Sequence, residues 1–400
     1  MRWARFRAGL VDRWKRYPVG PLDDHMEAAA QWLLAAQAAT PDDGIAHSLD
    51  ALTATWKASY PETTGYAIET LYAYARRSGR ARYAEAARKA ADWEVSVQLP
   101  EGGVMAGTID ATPVVPTIFN TGQVLFGWAA AAQHEVQSAR YLQALRRAGD
   151  WLIGAMDDDG AWRRYSSPFG ARGESAFNTR TAFGLARAGA VLGDERYLRA
   201  AIRHVRYVAA QARPNGFLPH NCLEDESRPL VHTLAYSIRG LLEVGATAAE
   251  SGFVDLAVRM ARGVASAQRA DGAIPGRLDR EWRGRAAWVC VTGNCQMALN
   301  WLRLAKLGIT AEFIPNAVAA NRYVMALQHR SHPDPDIRGA IRGSHPISAP
   351  YMRYRYPNWA AKFFLDALML EAELREEGWL TGHHGGGQFQ DAADPERLNG

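Results

Sequence analysis

The chain has 400 residues, 48% of them hydrophobic and 22% charged, which supplies a large core and excludes general disorder. Its 46 basic and 42 acidic side chains leave a formal net charge of +4, dispersed without a basic arm or stripe, so nucleic acid is set aside as a partner. Three cysteines, Cys222, Cys290 and Cys295, make no disulfide framework, and no stretch approaches the apolar run of a membrane span; a cytoplasmic protein is the expectation.

Residues 1–21 form a basic segment. MRWARFRAGLVDRWKRYP lacks the apolar run of a secretory signal but has the pattern of a short amphipathic helix able to touch a membrane surface. From about residue 22 to 380 the chain repeats, with no composition break, so these residues are expected to form one domain. A Gln or its equivalent, a few polar residues, a Gly and an apolar residue recur in QAATPDDGIA, QLPEGGVM, MDDDGAW, QARPNGFL and QRADGAI, with key glycines Gly44, Gly102, Gly160, Gly216 and Gly272. A looser copy, QHRSHPDPDIRGAI, ends near Gly339, and HPDPD within it marks a loop. Trp93, Trp151 and Tyr207 precede three of these glycines in constant register.

Between the turns lie two kinds of helical pattern. Residues 80–98, 138–156 and 195–211 are charged on one side with apolar residues at i, i+3 and i+4, as outer helices would be; 120–133 and 292–304 are poor in charge, as helices covered on most sides would be. Six outer and inner pairs bury their apolar faces most economically by closing into a ring, which predicts an all-α (α/α)6 toroid of about twelve helices; an open superhelical array is the alternative. The last residues, 381–400, read as a disordered tail.

In such a ring the inner helices start around one mouth, where unpaired N–H groups and positive dipole ends gather. The starts read YPETTGY, FNTGQ, ESAFNTR, RPLVHTLAY, WVCVTGNCQ and YRYPNWA. Asn and Thr caps explain part of this chemistry. The remainder mixes hydrogen-bonding groups with aromatic rings, as a cleft for sugars requires, and nearby arginines suit acidic groups. Candidate acids and bases are Glu62, Asp50, Asp110, Asp159 and Glu174, with His47 and His232 as other proton carriers. Asp159 belongs to the repeated turn. Cys290 and Cys295 with His220, His232 or His345 would make a Cys/Cys/His zinc site, but their spacing is not that of metal ligands and both suit small buried positions, so neither metal nor cofactor is expected.

The turns MDDDGAW and QRADGAI resemble the QxxDGxW repeat of the terpenoid cyclase and protein prenyltransferase toroid superfamily. The segments SYPETTGY, FNTGQVLFG, HTLAYSIRGLLE and TGNCQMALNWLRL are similar to a group of bacterial toroid proteins, the VpsJ-like proteins, found among polysaccharide-biosynthesis genes. Covering about residues 28 to 375, the resemblance implies the toroid fold and a link to exopolysaccharide biosynthesis, and it carries over no residue's role. Six-hairpin glycosidases and uronate lyases share the architecture without these motifs, so their chemistry enters by analogy.

The expected function is that of a glycoside hydrolase or polysaccharide lyase acting on an acidic glycan. Glu62 with Asp50 or Glu174 would form the catalytic pair, His232 and Tyr236 would assist, Trp56, Trp288 and Trp359 would stack on sugar faces, and Arg180 and Arg353 would hold negative charge. His47, Tyr60, Tyr66, Asn120, Gln123, Asn178, Asn294 and Gln296 complete the expected substrate contacts. The rivals are a noncatalytic glycan-binding or assembly protein, a sugar epimerase or isomerase, and a terpenoid cyclase. The cyclase reading rests on Asp157, Asp158 and Asp159, which sit in a repeated turn rather than on a cavity wall.

Overall fold

The computed structural model describes residues 15–168 and 173–380. The amphipathic pattern in residues 1–14 and the tail 381–400 lie outside the described residues. Among those described are twelve α-helices: α1 Leu22–Ala38, α2 Pro61–Ser78, α3 Ala81–Val97, α4 Ile118–His134, α5 Ala139–Ala155, α6 Thr179–Leu192, α7 Glu195–Ala209, α8 Val231–Thr247, α9 Ser251–Ser266, α10 Val291–Lys306, α11 Ile314–Met325 and α12 Asn358–Glu376. Even-numbered helices pack in sequence around a ring, and α12 closes it by packing on α2 and on α1. Each other odd-numbered helix lies outside the inner helix before it. The chain is an (α/α)6 toroid, and the closure excludes the open array.

Outer helices obey their amphipathic spacing. In α7 the buried positions are Tyr197, Ala200, Ala201, His204, Val205 and Val208, a stripe at helical intervals, while Asp194 caps the helix by accepting from Arg196 N. The third residue of three outer helices is a tyrosine that donates to a carboxylate on the preceding outer helix: Tyr83 to Glu27 at 2.9 Å, Tyr141 to Asp92 at 2.7 Å and Tyr197 to Asp150 at 2.8 Å. Inner helices approach one another closely. A Cβ added at Gly240 would lie 2.2 Å from the Thr179 carbonyl oxygen, so only glycine lets α8 and α6 meet there.

The repeated turn fastens successive outer helices. Gln268 Nε2 donates to Gly272 O at 3.1 Å and to Asn316 O of α11 at 3.0 Å, while Gly272, at φ 87°, has no room for a Cβ beside the Ala319 carbonyl. Gln37, Gln98 and Gln328 repeat this clamp, reaching Ala86, Ala144 and His25 on the next outer helix round the ring. The first copy corrects the sequence register: the left-handed residue there is Asp43, φ 65°, and its carbonyl rather than that of Gly44 receives the Gln37 amide.

Five short strands among the described residues lie at the mouth, a departure from a purely helical expectation. β1 Ser48–Asp50 pairs with β2 Thr55–Trp56 and with β5 Arg355–Pro357, and β3 Val289–Cys290 pairs with β4 Ser344–His345. They stitch the long connections into a rim. The described part of the N-terminal segment joins this rim region, with Tyr17 N donating to Ala326 O and Arg16 Nη1 lying 3.0 Å from His345 Nε2. No described helix is long and apolar enough to cross a membrane.

Candidate active site

The inner helices present a common stripe to the ring axis. Their second residues include Glu62, Phe119, His232, Thr292 and Trp359; their sixth, Tyr66, Gln123, Tyr236, Gln296 and Phe363; their ninth, Glu69, Phe126, Arg187, Arg239 and Asp366. Alternating steps of four and three keep these side chains on one face. The 3-10 turn Ala176–Asn178 precedes α6 and supplies Phe177 and Asn178 to the upper level.

Aromatic contacts trace the basin. His47 lies 4.8 Å from Trp359 and 5.2 Å from Tyr60, ring centroid to centroid. Trp359 Nε1 donates to Tyr351 OH at 2.9 Å, Tyr351 lies 5.5 Å from His232, and His232 lies 4.6 Å from Tyr236. Tyr236 meets Phe119 at 5.1 Å and Phe363 at 5.9 Å, and Phe363 meets Tyr66 at 5.4 Å. Residues from four inner helices and two rim connections thus converge.

Glu62 stands among them, its carboxylate accepting the Tyr60 hydroxyl proton. A carboxylate in the first turn of a helix is ordinarily stabilised by the dipole. Burial outweighs that here, raising the Glu62 pKa to about 7 against the opposing hydrogen bond from Tyr60. The side chain keeps some exposed surface although protein surrounds it. His232 is held neutral by burial, its pKa lowered to about 4, and its Nδ1 lies 2.8 Å from Gln296 Oε1. With Oε1 as acceptor the ring carries its proton on Nδ1 and keeps the Nε2 lone pair. Burial likewise lowers His47 to about 4 and raises Tyr60 and Tyr236 above the usual phenol range.

Buried polar atoms without a partner are Gln123 Oε1 and Asn178 Oδ1 around this basin and Arg180 Nε in the tier below it, while the Tyr66 and Tyr236 hydroxyls meet each other. Buried polar groups are ordinarily satisfied, so their gathering in one place marks where a polar ligand would be bound.

Other sequence candidates lie elsewhere. Asp50 accepts from Leu52 N and Thr53 N and pairs with Arg355 at 3.5 Å, holding the rim turn instead of partnering Glu62. Glu174 accepts the hydroxyl of Tyr207 on outer helix α7 and lines a small cavity there with Trp162 and His204. Asp110 closes an exposed turn through Thr108, and Asp159 pairs with Arg163 at 2.6 Å. Trp56 packs on Trp32 of α1 at 5.4 Å, Trp288 lies against Gly276, and Arg353 is exposed on the rim. Asn120 is the exception, donating to Met105 O at 2.8 Å and also reaching the Tyr60 hydroxyl beside Glu62; Asn294 accepts from Ile274 N and donates to Ala320 O, fixing backbone. Cys290 and Cys295 are buried free thiols, and among the described residues no three His, Cys, Asp or Glu side chains gather as a metal site.

Sequence reasoning missed Tyr351, Phe119, Phe177, Phe363, Glu69 and Lys362. The four-and-three stripe could have found Phe119, Phe363 and Glu69. Tyr351 comes from a connection whose path is set by the β3–β4 and β1–β5 pairings, which local sequence does not signal.

Solved structures share this architecture. An unsaturated glucuronyl hydrolase specific for heparin aligns with a TM-score of 0.71 at 17% identity, covering 89% of this chain and 98% of that one. A D-mannose isomerase gives 0.69 at 11% identity over 88% and 97%, and a polysaccharide lyase 0.61 at 12% over 89% and 98%. The fold is shared. Identities this low carry no chemistry with it. No protein-family model matches the chain, and no curated protein matches its sequence.

Proposed function

We propose that the chain is a carbohydrate-active enzyme that cleaves an acidic saccharide, with Glu62 as its general acid–base. The observation that carries this is a buried carboxyl group beside Tyr60, Tyr66 and Tyr236 in a ring-lined basin, whose pKa of about 7 suits both giving and taking a proton near neutrality. Aromatic faces and unpartnered hydrogen-bonding atoms suit a sugar ring, and the solved relatives of the fold include a glucuronyl hydrolase and a polysaccharide lyase. The resemblance to VpsJ-like proteins supports a place in exopolysaccharide metabolism.

Glycoside displacement by two carboxyl groups needs a second acid about 5–10 Å from the first. Asp50 and Glu174 are committed to other contacts, so the geometry favours cleavage that runs on one acid–base group, such as hydration of an unsaturated uronide or elimination. A second reading, sugar isomerisation or epimerisation, draws on neutral His232 with its open Nε2 beside Tyr236.

The test is turnover of oligosaccharides ending in an unsaturated glucuronyl residue, followed by loss of ultraviolet absorbance, and of intact acidic glycans, followed by its gain. Glu62→Gln should reduce turnover about 10²–10⁴-fold while retaining ligand. Deuterium incorporation from solvent into a recovered, uncleaved sugar would instead select the epimerase reading. Undiminished turnover in Glu62→Gln would remove the assignment.

A further inference from the structure

Below the basin lies a tier that the proposed chemistry leaves unused. Glu69 pairs with Arg187 at 3.2 Å; Asp366 holds Lys362 at 2.5 Å and accepts from Thr70 at 2.7 Å; Glu243 binds Arg239 at 2.7 Å and Arg303 at 2.8 Å. These three carboxylates are occupied. Arg180 is left over, 4% exposed, with its guanidinium carbon 4.2 Å from the Phe126 ring centre and 5.3 Å from that of Phe183. Arg239 approaches the same Phe183 ring at 5.8 Å. Arg180 Nε and Arg239 Nη1 are both buried without a partner.

An enclosed guanidinium without a direct ion pair is costly even in the field of Glu69 and Asp366, and two with unused N–H groups over one ring offer a cationic seat. Access is not sealed: Glu69 and Arg187 side chains in this tier remain 32% and 30% exposed. Aromatic faces beneath the guanidinium planes fix their orientation, leaving the planar N–H edges for a ligand.

We propose that Arg180 and Arg239 form a binding site for one small oxyanion group, a carboxylate, sulfate or phosphate. Its source is either the acid group of a saccharide whose ring occupies the basin above or a free inorganic ion. Tyr236, which feels both Glu62 and Arg180 electrostatically, stands between the two levels. The site does not depend on the reaction assigned to Glu62.

The experiment is calorimetric titration of the full chain with sodium sulfate, inorganic phosphate and sodium glucuronate, against sodium chloride at equal ionic strength. At least one oxyanion should bind saturably beyond chloride, Arg180→Gln should weaken it about tenfold or more, and Glu62→Gln should retain it. Binding of sulfate or phosphate identifies a free ion as a sufficient occupant, and binding of glucuronate alone identifies the sugar acid. If Arg180→Gln does not fold, Arg239→Gln gives the same reading. No saturable oxyanion binding, unchanged binding in the folded arginine variants, or loss of binding in Glu62→Gln would overturn the proposal. Absence of turnover in the wild type, by contrast, would count against the catalytic reading and leave this result standing.

Discussion

Tyr60 and Glu62 show how two neighbouring residues set one proton affinity. Burial lifts the Glu62 carboxyl and the Tyr60 hydrogen bond restrains it, so removing the hydroxyl should lift it further. In Tyr60→Phe the alkaline limb of the turnover–pH profile should move upward by about one unit, if the protonated acid is the active form. An unmoved or lowered limb would show that the hydroxyl does not act on the carboxyl. Glu94 offers a stability test away from the basin. It is fully buried on α3, neither carboxyl oxygen has a partner, and burial, with Asp42 nearby, raises its pKa well above the usual range. As pH rises past the unfolded value near 4.5, the unfolded chain releases this proton while the folded chain retains it, so stability is lost toward neutral pH. Glu94→Met should therefore stabilise the protein by about 1–3 kcal/mol at neutral pH, and by less near pH 4, measured by thermal unfolding. A lower melting temperature at neutral pH would show that the carboxyl has a partner.

At the scale of the element, the sequence was most legible where a backbone requirement repeats. Glycine turns, the outer helices' apolar stripes and the charge-poor inner helices each follow from local geometry and lie where expected, except in the first turn, where Asp43 takes the left-handed place expected of Gly44. The Thr and Asn side chains at inner-helix starts were misread as caps. Thr64, Thr121 and Asn294, each the fourth residue of its helix, accept from Ile45 N, Val104 N and Ile274 N, tying the helix to the turn before it. Their register also explains Asp43, which occupies in the first turn the position Gly102 and Gly272 hold in others. The clamp by glutamine is testable. Gln268→Ala would leave the Gly272 and Asn316 carbonyls without their half-buried donor and should cost about 1–3 kcal/mol in chemical denaturation. A change below about 0.5 kcal/mol would mean the clamp is dispensable.

Across the whole molecule, the basin exists because the ring closes. Helix starts far apart in sequence become neighbours only when α12 returns to α1 and α2, which is why Glu62 and Trp359 could be placed on one mouth from the repeat while Asp50 and Glu174 could not be separated from it. Being near a mouth in sequence does not say which way a side chain faces; the Arg355 and Tyr207 contacts decide that. Gly339, φ 85°, abuts the Ala28 carbonyl at the closing seam, and Gly339→Val should lower the melting temperature as a single transition because every inner helix leans on its neighbours. An early separate transition would show that the last hairpin is not integral to the ring.

The most direct measurement is the crystal structure of the Glu62→Gln protein soaked with an acidic disaccharide. The sugar ring should lie against Tyr60, His232 and Trp359, with a glycosidic or ring oxygen within hydrogen-bond distance of the side chain at position 62. Density for the sugar on the outer surface alone, with the basin closed to it at saturating concentration, would contradict the account.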